Sequence, residues 1–193
     1  TGFYFDKHID PNRWKKLSAD LGIRLKDYRT TGEHILIPLQ RNGGWSMRNL
    51  PVMDWLKNTI TNIRKFSDRP IVVRGHPGDK KVPLYLQLNE PNVTISPWKK
   101  PIVQDLQNAW AVVTYNSSPG VVSLIEGVPV FAMDPDPNYS QYHHVSNTTL
   151  KRLEDPKMFD RQNWIESLAM CHWKFEELRS GEAWEFMRNY VRQ

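Results

Sequence analysis

The sequence predicts an α/β fold: a Rossmann-like, doubly wound parallel sheet followed by C-terminal helices. Three observations carry this expectation. Short β-branched and apolar runs recur at His34–Leu39, Arg69–Arg74, Asn92–Ser96, Ala111–Thr114 and Val128–Ala132, with helical periodicity between them. The first run is apolar almost throughout, as befits a strand covered on both faces of a parallel sheet. Most runs end in loops rich in Gly, Pro, Asn or Ser, and open α/β sheets hold their ligands at those carboxyl ends.

Thr1–Lys7 is aromatic-rich and shows no clear period. Asp10-Pro11 opens a helix with Trp14, Leu17 and Leu21 on one face, and Gly22 stops it. Residues 23–33 read as a polar loop. The first strand stops at Pro38 and runs into Gln40-Arg41-Asn42-Gly43-Gly44-Trp45-Ser46. A helix over 51–66 sets Val52, Trp55, Leu56, Ile60 and Ile63 on one side, with Lys57, Asn58, Arg64 and Lys65 outside. The second strand leads into Gly75-His76-Pro77-Gly78-Asp79, and Asp79 caps a short helix through Leu88. A short helix over 101–108 follows the third strand. Ala111–Asp134 then reads as strand, tight turn, helix, turn, strand, a right-handed βαβ crossover. Ser117 or Ser118 caps its helix, Pro119 fits the first turn, and Gly127 ends it in the left-handed conformation. Beyond it come an aromatic loop, Pro135–His144, a linker-like stretch over 151–156, and amphipathic helices over 161–173 and 175–191. Trp164, Leu168 and Trp173 form a packed stripe on these helices. The chain thus divides into an N-terminal helical or irregular segment (1–33), a nucleotide-binding α/β domain (34–134), and the aromatic loop with C-terminal helices (135–193) packing on the same domain.

Composition bounds the chemistry. The 193 residues are 39% hydrophobic and include eight Trp, seven Tyr and seven Phe, enough for a sizeable core. No apolar run reaches the roughly 18 residues that a membrane span requires. A single cysteine, Cys171, excludes an internal disulfide framework and points to a reducing, cytoplasmic setting; the residue reads as a small apolar helix position. A start at Thr1 without Met suggests removed or missing upstream residues. The net charge of +5 suits anionic ligands: nucleotide phosphates, nucleic acid or an acidic glycan. Lys80-Lys81 and Lys99-Lys100 are only pairs, which weakens the nucleic-acid reading.

The candidate site gathers at the strand ends. After the fourth strand, Asn116, Ser117, Ser118 and Gly120 open a helix whose free N–H groups and positive dipole end leave room for a phosphate; Asn-Ser-Ser-Pro is equally a good helix start with no ligand. Glu126, at the far end of that helix, suits a ribose diol or is an ordinary exposed residue. Arg41, Gly43 and Gly44 offer a backbone approach to a diphosphate or form a flexible turn. His76, held extended by Pro77, donates to a phosphate or a developing leaving-group charge, or simply caps its strand. Tyr139, Tyr142 and His143 lie on a loop placed to touch substrate. His143, His144 and Asp136 match no common metal spacing, so no metal is expected.

Val73-Arg-Gly-His-Pro-Gly-Asp79 and Thr114-Tyr-Asn-Ser-Ser-Pro-Gly-Val-Val-Ser-Leu-Ile-Glu-Gly-Val-Pro-Val130 together resemble the donor-binding, C-terminal half of a GT-B glycosyltransferase. The likeness is nearest to capsular polysaccharide (Kdo-transferase-like) enzymes and to bacterial sialyltransferases with HP and SS motifs, and it covers residues 34–134. It implies that His76, Ser117 and Ser118 meet the donor's phosphate, that Glu126 meets the ribose, and that Arg41, Arg74 and His76 stabilise the departing phosphate. His76 and Arg74 thereby become the catalytic candidates. It also implies no cofactor and no metal, a nucleotide-sugar as substrate, and a glycan or other hydroxyl acceptor in polysaccharide biosynthesis. Two departures stand out. Relatives commonly read Arg-Pro-His-Pro where this chain has Arg74-Gly75-His76-Pro77, and no acceptor domain with a catalytic base precedes residue 34, so an N-terminal domain is missing, a second subunit supplies it, or the chain is a minimal relative. The competing readings are an inactive nucleotide-binding or interaction module of the same fold, and a nucleic-acid-binding or modifying protein.

Overall fold

The apolar runs pair into one all-parallel sheet of five strands: β1 His34–Pro38, β2 Ile71–Arg74, β3 Val93–Ser96, β4 Ala109–Thr114 and β5 Val130–Ala132. The computed structural model describes residues 9–97 and 99–191; the aromatic-rich start Thr1–Lys7 lies outside the described residues. The spatial order is β3-β2-β1-β4-β5. The chain steps outward from β1 to β3, then crosses back to lay β4 on the other side of β1. That reversal places a topological switch point between β1 and β4, where such sheets open a crevice at their carboxyl ends. Ile35, Leu36 and Ile37 of β1 are fully buried, which is why this strand carries no polar alternation.

Two compact units are formed, one of Leu25–Phe159 and the other of residues 9–24 with 160–191. Their limits fall at other points than the sequence division at 34 and 134: the aromatic loop belongs to the sheet unit, and the first helix groups with the last three.

In the sheet unit, α2 (Val52–Ile63) buries Val52, Trp55, Leu56, Thr59, Ile60 and Ile63, and these apolar side chains share one core with Ile35, Ile37 and Leu39. The helices α3 (Val82–Tyr85) and α4 (Ile102–Asp105) are single turns, shorter than the periodicity suggests. Leu86 leaves helical geometry before Pro91, and β4 already begins at Ala109. The helix of the crossover, α5 (Pro119–Ile125), ends as expected at Gly127, whose φ is +78°. A side chain at Gly127 would collide with the Asp27 carbonyl. The reason is that the polar loop of residues 25–33 runs tight against this end: Lys26 N–H donates to Ile125 O (2.9 Å) and Arg29 N–H to Gly127 O (2.8 Å). The free edge of β5 is covered by Asn147, whose backbone bonds Val130 and Ala132 on 2.8 and 2.9 Å contacts.

The second unit holds α1 (Pro11–Leu21), α6 (Gln162–Ala169), α7 (Phe175–Ser180) and α8 (Glu182–Val191). Asp10 and Gly22 cap α1 as the sequence indicates. Its inward face is different from the one expected: Leu17 is buried, but Leu21 is exposed and Arg13 is buried instead. The Arg13 guanidinium donates to Ala169 O (2.8 Å), the His172 carbonyl and both Glu177 oxygens (3.1 Å each), and lies 3.6 Å from the Trp173 ring centre. The helix expected over 175–191 breaks into α7 and α8 at Gly181, φ +86°. Cys171 sits exposed in the turn after α6 rather than inside a helix. Among the described residues no helix is long and apolar enough to cross a membrane.

The hydrogen bonds from Arg13 hold the Glu177 carboxyl at about 2, against 4.5 ordinarily. A depressed carboxylate contributes stability that is complete above its unfolded value and is lost as pH falls toward the folded one. Urea midpoints of the parent should therefore drop between pH 4.5 and 2, and Glu177→Gln should flatten that slope while lowering the midpoint at neutral pH. An unchanged slope would remove the pair from the acid response.

Candidate functional site

The loops leaving β1, β2, β4 and β5 enclose a cavity of about 380 Å³ over the switch point. Gln40, Arg41, Trp45 and Ser46 come from the first loop, His76 from the second, Asn116, Ser117 and Ser118 from the fourth, and Tyr139 and Gln141 from the aromatic loop. Six residues expected from the sequence thus meet here: Arg41, His76, Asn116, Ser117, Ser118 and Tyr139. Sequence reasoning missed Gln40, Trp45, Ser46 and Gln141, although the first three stand in the very loop it singled out.

The first loop is shaped by its glycines and not lined by them. Gly43 takes a φ of +72°, and Gly44 N–H bonds Arg41 O at 3.1 Å, folding a single turn over Trp45–Met47. Met47 is buried and anchors the turn, while Trp45 is 90% exposed at the cavity. Gly43 and Gly44 serve this turn, and neither is among the described residues that line the cavity.

A polar network holds the floor. Asp134 is buried; its Oδ1 accepts from Arg48 Nη2 (2.8 Å) and Asp136 N–H (3.0 Å), and its Oδ2 accepts from Asn116 Nδ2 (2.6 Å). Asn116 Oδ1 accepts in turn from Gln40 Nε2, which also reaches Ser46 Oγ at 3.0 Å. Arg48 lies 4.4 Å from the Tyr139 ring centre, tying the aromatic loop to the first.

Asp79 makes a second tie. It accepts from Lys81 N–H (3.0 Å), Asn42 N–H (3.1 Å) and Tyr85 Oη (2.9 Å). Burial pushes its carboxyl up, but these hydrogen bonds and the Arg41 charge outweigh that and lower it. The same carboxylate therefore joins the Arg41 loop to the His76 turn. Within that turn Gly78 N–H donates to His76 Nδ1 at 3.0 Å. An N–H can only be met by a bare ring nitrogen, so the neutral imidazole carries its proton on Nε2 and can donate from there.

At the fourth loop, Thr114 Oγ1 accepts from Ser117 N–H (3.3 Å). Ser118 occupies the helix cap without a side-chain capping bond, so the capping role expected of the serines is not seen. Gly120 is packed under Tyr142: a Cβ there would lie 2.7 Å from Tyr142 Oη. Tyr142 is buried, donates to Ser117 O at 2.6 Å, and has its phenol pushed up by burial. Gly120 and Tyr142 thus fix the serine loop from beneath and do not line the cavity.

Three further candidates fall elsewhere. Arg74 is buried and donates to Asp105 Oδ2 at 2.6 Å; Asp105 also takes Ser96 Oγ (2.7 Å) and Lys100 Nζ (2.6 Å). Burial raises the Asp105 carboxyl, and its three partners together bring it below the ordinary value. The guanidinium is held in this frame, and Arg74 is not among the described residues that line the cavity. Glu126 pairs with Lys26 and fastens the 25–33 loop, away from the cavity lining. His143 is half-buried beside the cavity loop; burial and the charge of His144 push its pKa down. Its ring stands at 87° to that of His144, and among the described residues no three His, Cys, Asp or Glu side chains gather as a metal-binding group.

No protein-family model and no curated protein sequence matches the chain. Solved structures do. Thermosulfurimonas dismutans KpsC, beta Kdo 2,4 transferase, aligns with a TM-score of 0.52 at 19% identity, covering 82% of this chain and 53% of that one. The beta Kdo 2,7 transferase of the same KpsC aligns with a TM-score of 0.52 at 17% identity, covering 83% and 54%. At such identities the likeness shows the fold: a Rossmann-like half of the GT-B kind, spanning about half the length of the solved chains it matches.

Arg74→Met should lower stability by about 3 kcal/mol, because it leaves a buried carboxylate short of one of its charged partners. Asp105→Asn should cost a similar amount, and the double variant less than the sum, in urea unfolding. Additive losses would show that the two groups do not act as a pair.

Proposed function

We propose that the chain is the donor-binding half of a nucleotide-sugar-dependent glycosyltransferase that passes the sugar to an acceptor hydroxyl, here a growing glycan in polysaccharide biosynthesis. One observation carries this reading: the cavity at the β1–β4 switch point draws Arg41, His76, Ser117 and Ser118 from three separate loops, and no carboxylate lines it among the described residues. One cation, one imidazole N–H and two hydroxyls suit the phosphate of a nucleotide, and the location suits nucleotides generally. With only seven residues, α5 contributes little dipole, so side chains carry most of the anion binding.

In the reaction the acceptor oxygen attacks the anomeric carbon, the bond from that carbon to the phosphate oxygen breaks, and the nucleotide leaves with the electron pair. Arg41 and the Nε2–H of His76 stabilise the charge that grows on the leaving phosphate. Among the described residues no Asp or Glu lines this cavity, so the acceptor's proton goes to a base outside it. A partner domain fits that need, as the chain spans 53% of the first solved transferase. The Gly75 departure has a packing reason: a Cβ at that position would lie 2.5 Å from Val82 Cγ1, so proline there would displace Val82.

That the chain spans about half of the solved transferases also supports a second reading, a nucleotide-binding module with no turnover by itself. Both readings predict the same first result. A panel of CMP, CDP, UMP, UDP, GDP and ADP at about 100 times Kd should stabilise the parent by about 2.7 kcal/mol for a true ligand, seen as a raised thermal midpoint. Ser117→Ala/Ser118→Ala should abolish most of the shift. A flat panel would contradict nucleotide binding. Transfer to an acceptor with bound nucleotide-sugar separates enzyme from module.

A further inference from the structure

Gln40 lines the cavity, is 8% exposed, and its Oε1 has no hydrogen-bond partner. Buried amide oxygens are nearly always paired, so one that is closed to solvent and unpaired on a cavity-lining residue calls for an explanation. Its orientation is dictated from a distance. A carboxylate has no hydrogen to give, so Asp134 Oδ2 obliges Asn116 to present its NH₂, at 2.6 Å. Asn116 Oδ1 is thereby turned toward Gln40, which must answer with its own NH₂. Reversing Gln40 would set two carbonyl oxygens against each other. Arg48 and the Asp136 N–H occupy the other Asp134 oxygen and keep the chain from relaxing. The amide nitrogen of Gln40 is thus consumed by Asn116 and Ser46, and the oxygen is what remains.

We propose that Gln40 is the specificity-determining residue of this cavity: its Oε1 accepts one hydrogen bond from an amino or hydroxyl group on the uncharged part of the nucleotide. The inference rests on the donor-site reading. An acceptor-only amide disfavours phosphate oxygens beside it, so it sends the anion toward Arg41, His76 and Ser118 and the base or ribose toward itself. Trp45, exposed on the same cavity, offers that uncharged part a flat apolar surface.

The test measures, with the full chain, affinities for the best-bound nucleotide and for analogues that each lack one of two donors, either the base N–H (amine dialkylated, or N3 methylated in uracil) or the ribose hydroxyls (2′,3′-dideoxy). In the parent one analogue should bind up to roughly tenfold more weakly, the weight of one hydrogen bond, and which one identifies the donor as base or sugar. In Gln40→Met that ratio should fall to about one. The ratio is taken within each protein, so a loss of folded fraction cancels. If Gln40→Met does not fold, Gln40→Asn, whose amide is withdrawn by one methylene, should give the same collapse. A ratio that persists in the variants, or a parent that tolerates loss of either donor, overturns this inference while leaving nucleotide binding intact. A parent that binds no nucleotide overturns the donor-site reading and this inference together.

Discussion

The cavity depends on one buried carboxylate. Asp134 ends the strand segment after β5 and receives hydrogen bonds from three directions: Arg48 of the first loop, Asn116 of the fourth, and the backbone of its own loop at Asp136. A charge so enclosed is tolerable only while every partner stays in place. The requirement makes the three loops cooperative. Asn116 cannot turn, Gln40 cannot turn behind it, and Tyr139 is held against Arg48.

The same device recurs along the sheet. Asp79 joins the turn after β2 to Asn42 of the loop after β1. Asp105 joins the end of β2 through Arg74 to the end of β3 through Ser96. Each is a buried aspartate at the carboxyl edge with its hydrogen bonds filled from neighbouring segments. Asp79, Asp105 and Asp134 are thus buried and paired, while Arg41 and His76 remain at the cavity. An edge built this way braces its loops against one another through buried polar contacts.

Strands were legible because apolar runs such as Ile35–Ile37 have few other uses in a chain of this composition; the strand order that puts the switch point between β1 and β4 was not. The serine turn and His76 were legible because turn-forming neighbours fix their place at strand ends. Other features required the tertiary fold. Arg74 looks like a site residue because it lies at a strand end, but its register opposite Ser96 delivers it to Asp105, which no local pattern reveals. Glu126 is claimed by Lys26, 100 residues away. Tyr142 looks like a substrate aromatic until Gly120 is seen to leave room for it. In α1 the inward position of Arg13 contradicts hydrophobic periodicity, since only the facing Glu177 and the carbonyls of Ala169 and His172 make its burial possible. Long-range pairing of polar groups is what local periodicity does not encode.

The most direct measurement of the central claim is amide hydrogen exchange of the full chain with and without a saturating nucleotide. Slowed exchange confined to three segments, 41–48, 76–81 and 116–120, is expected if one ligand engages the loops of β1, β2 and β4 together. Protection elsewhere, for example over 162–191, or in one loop alone, would contradict a nucleotide site at the switch point.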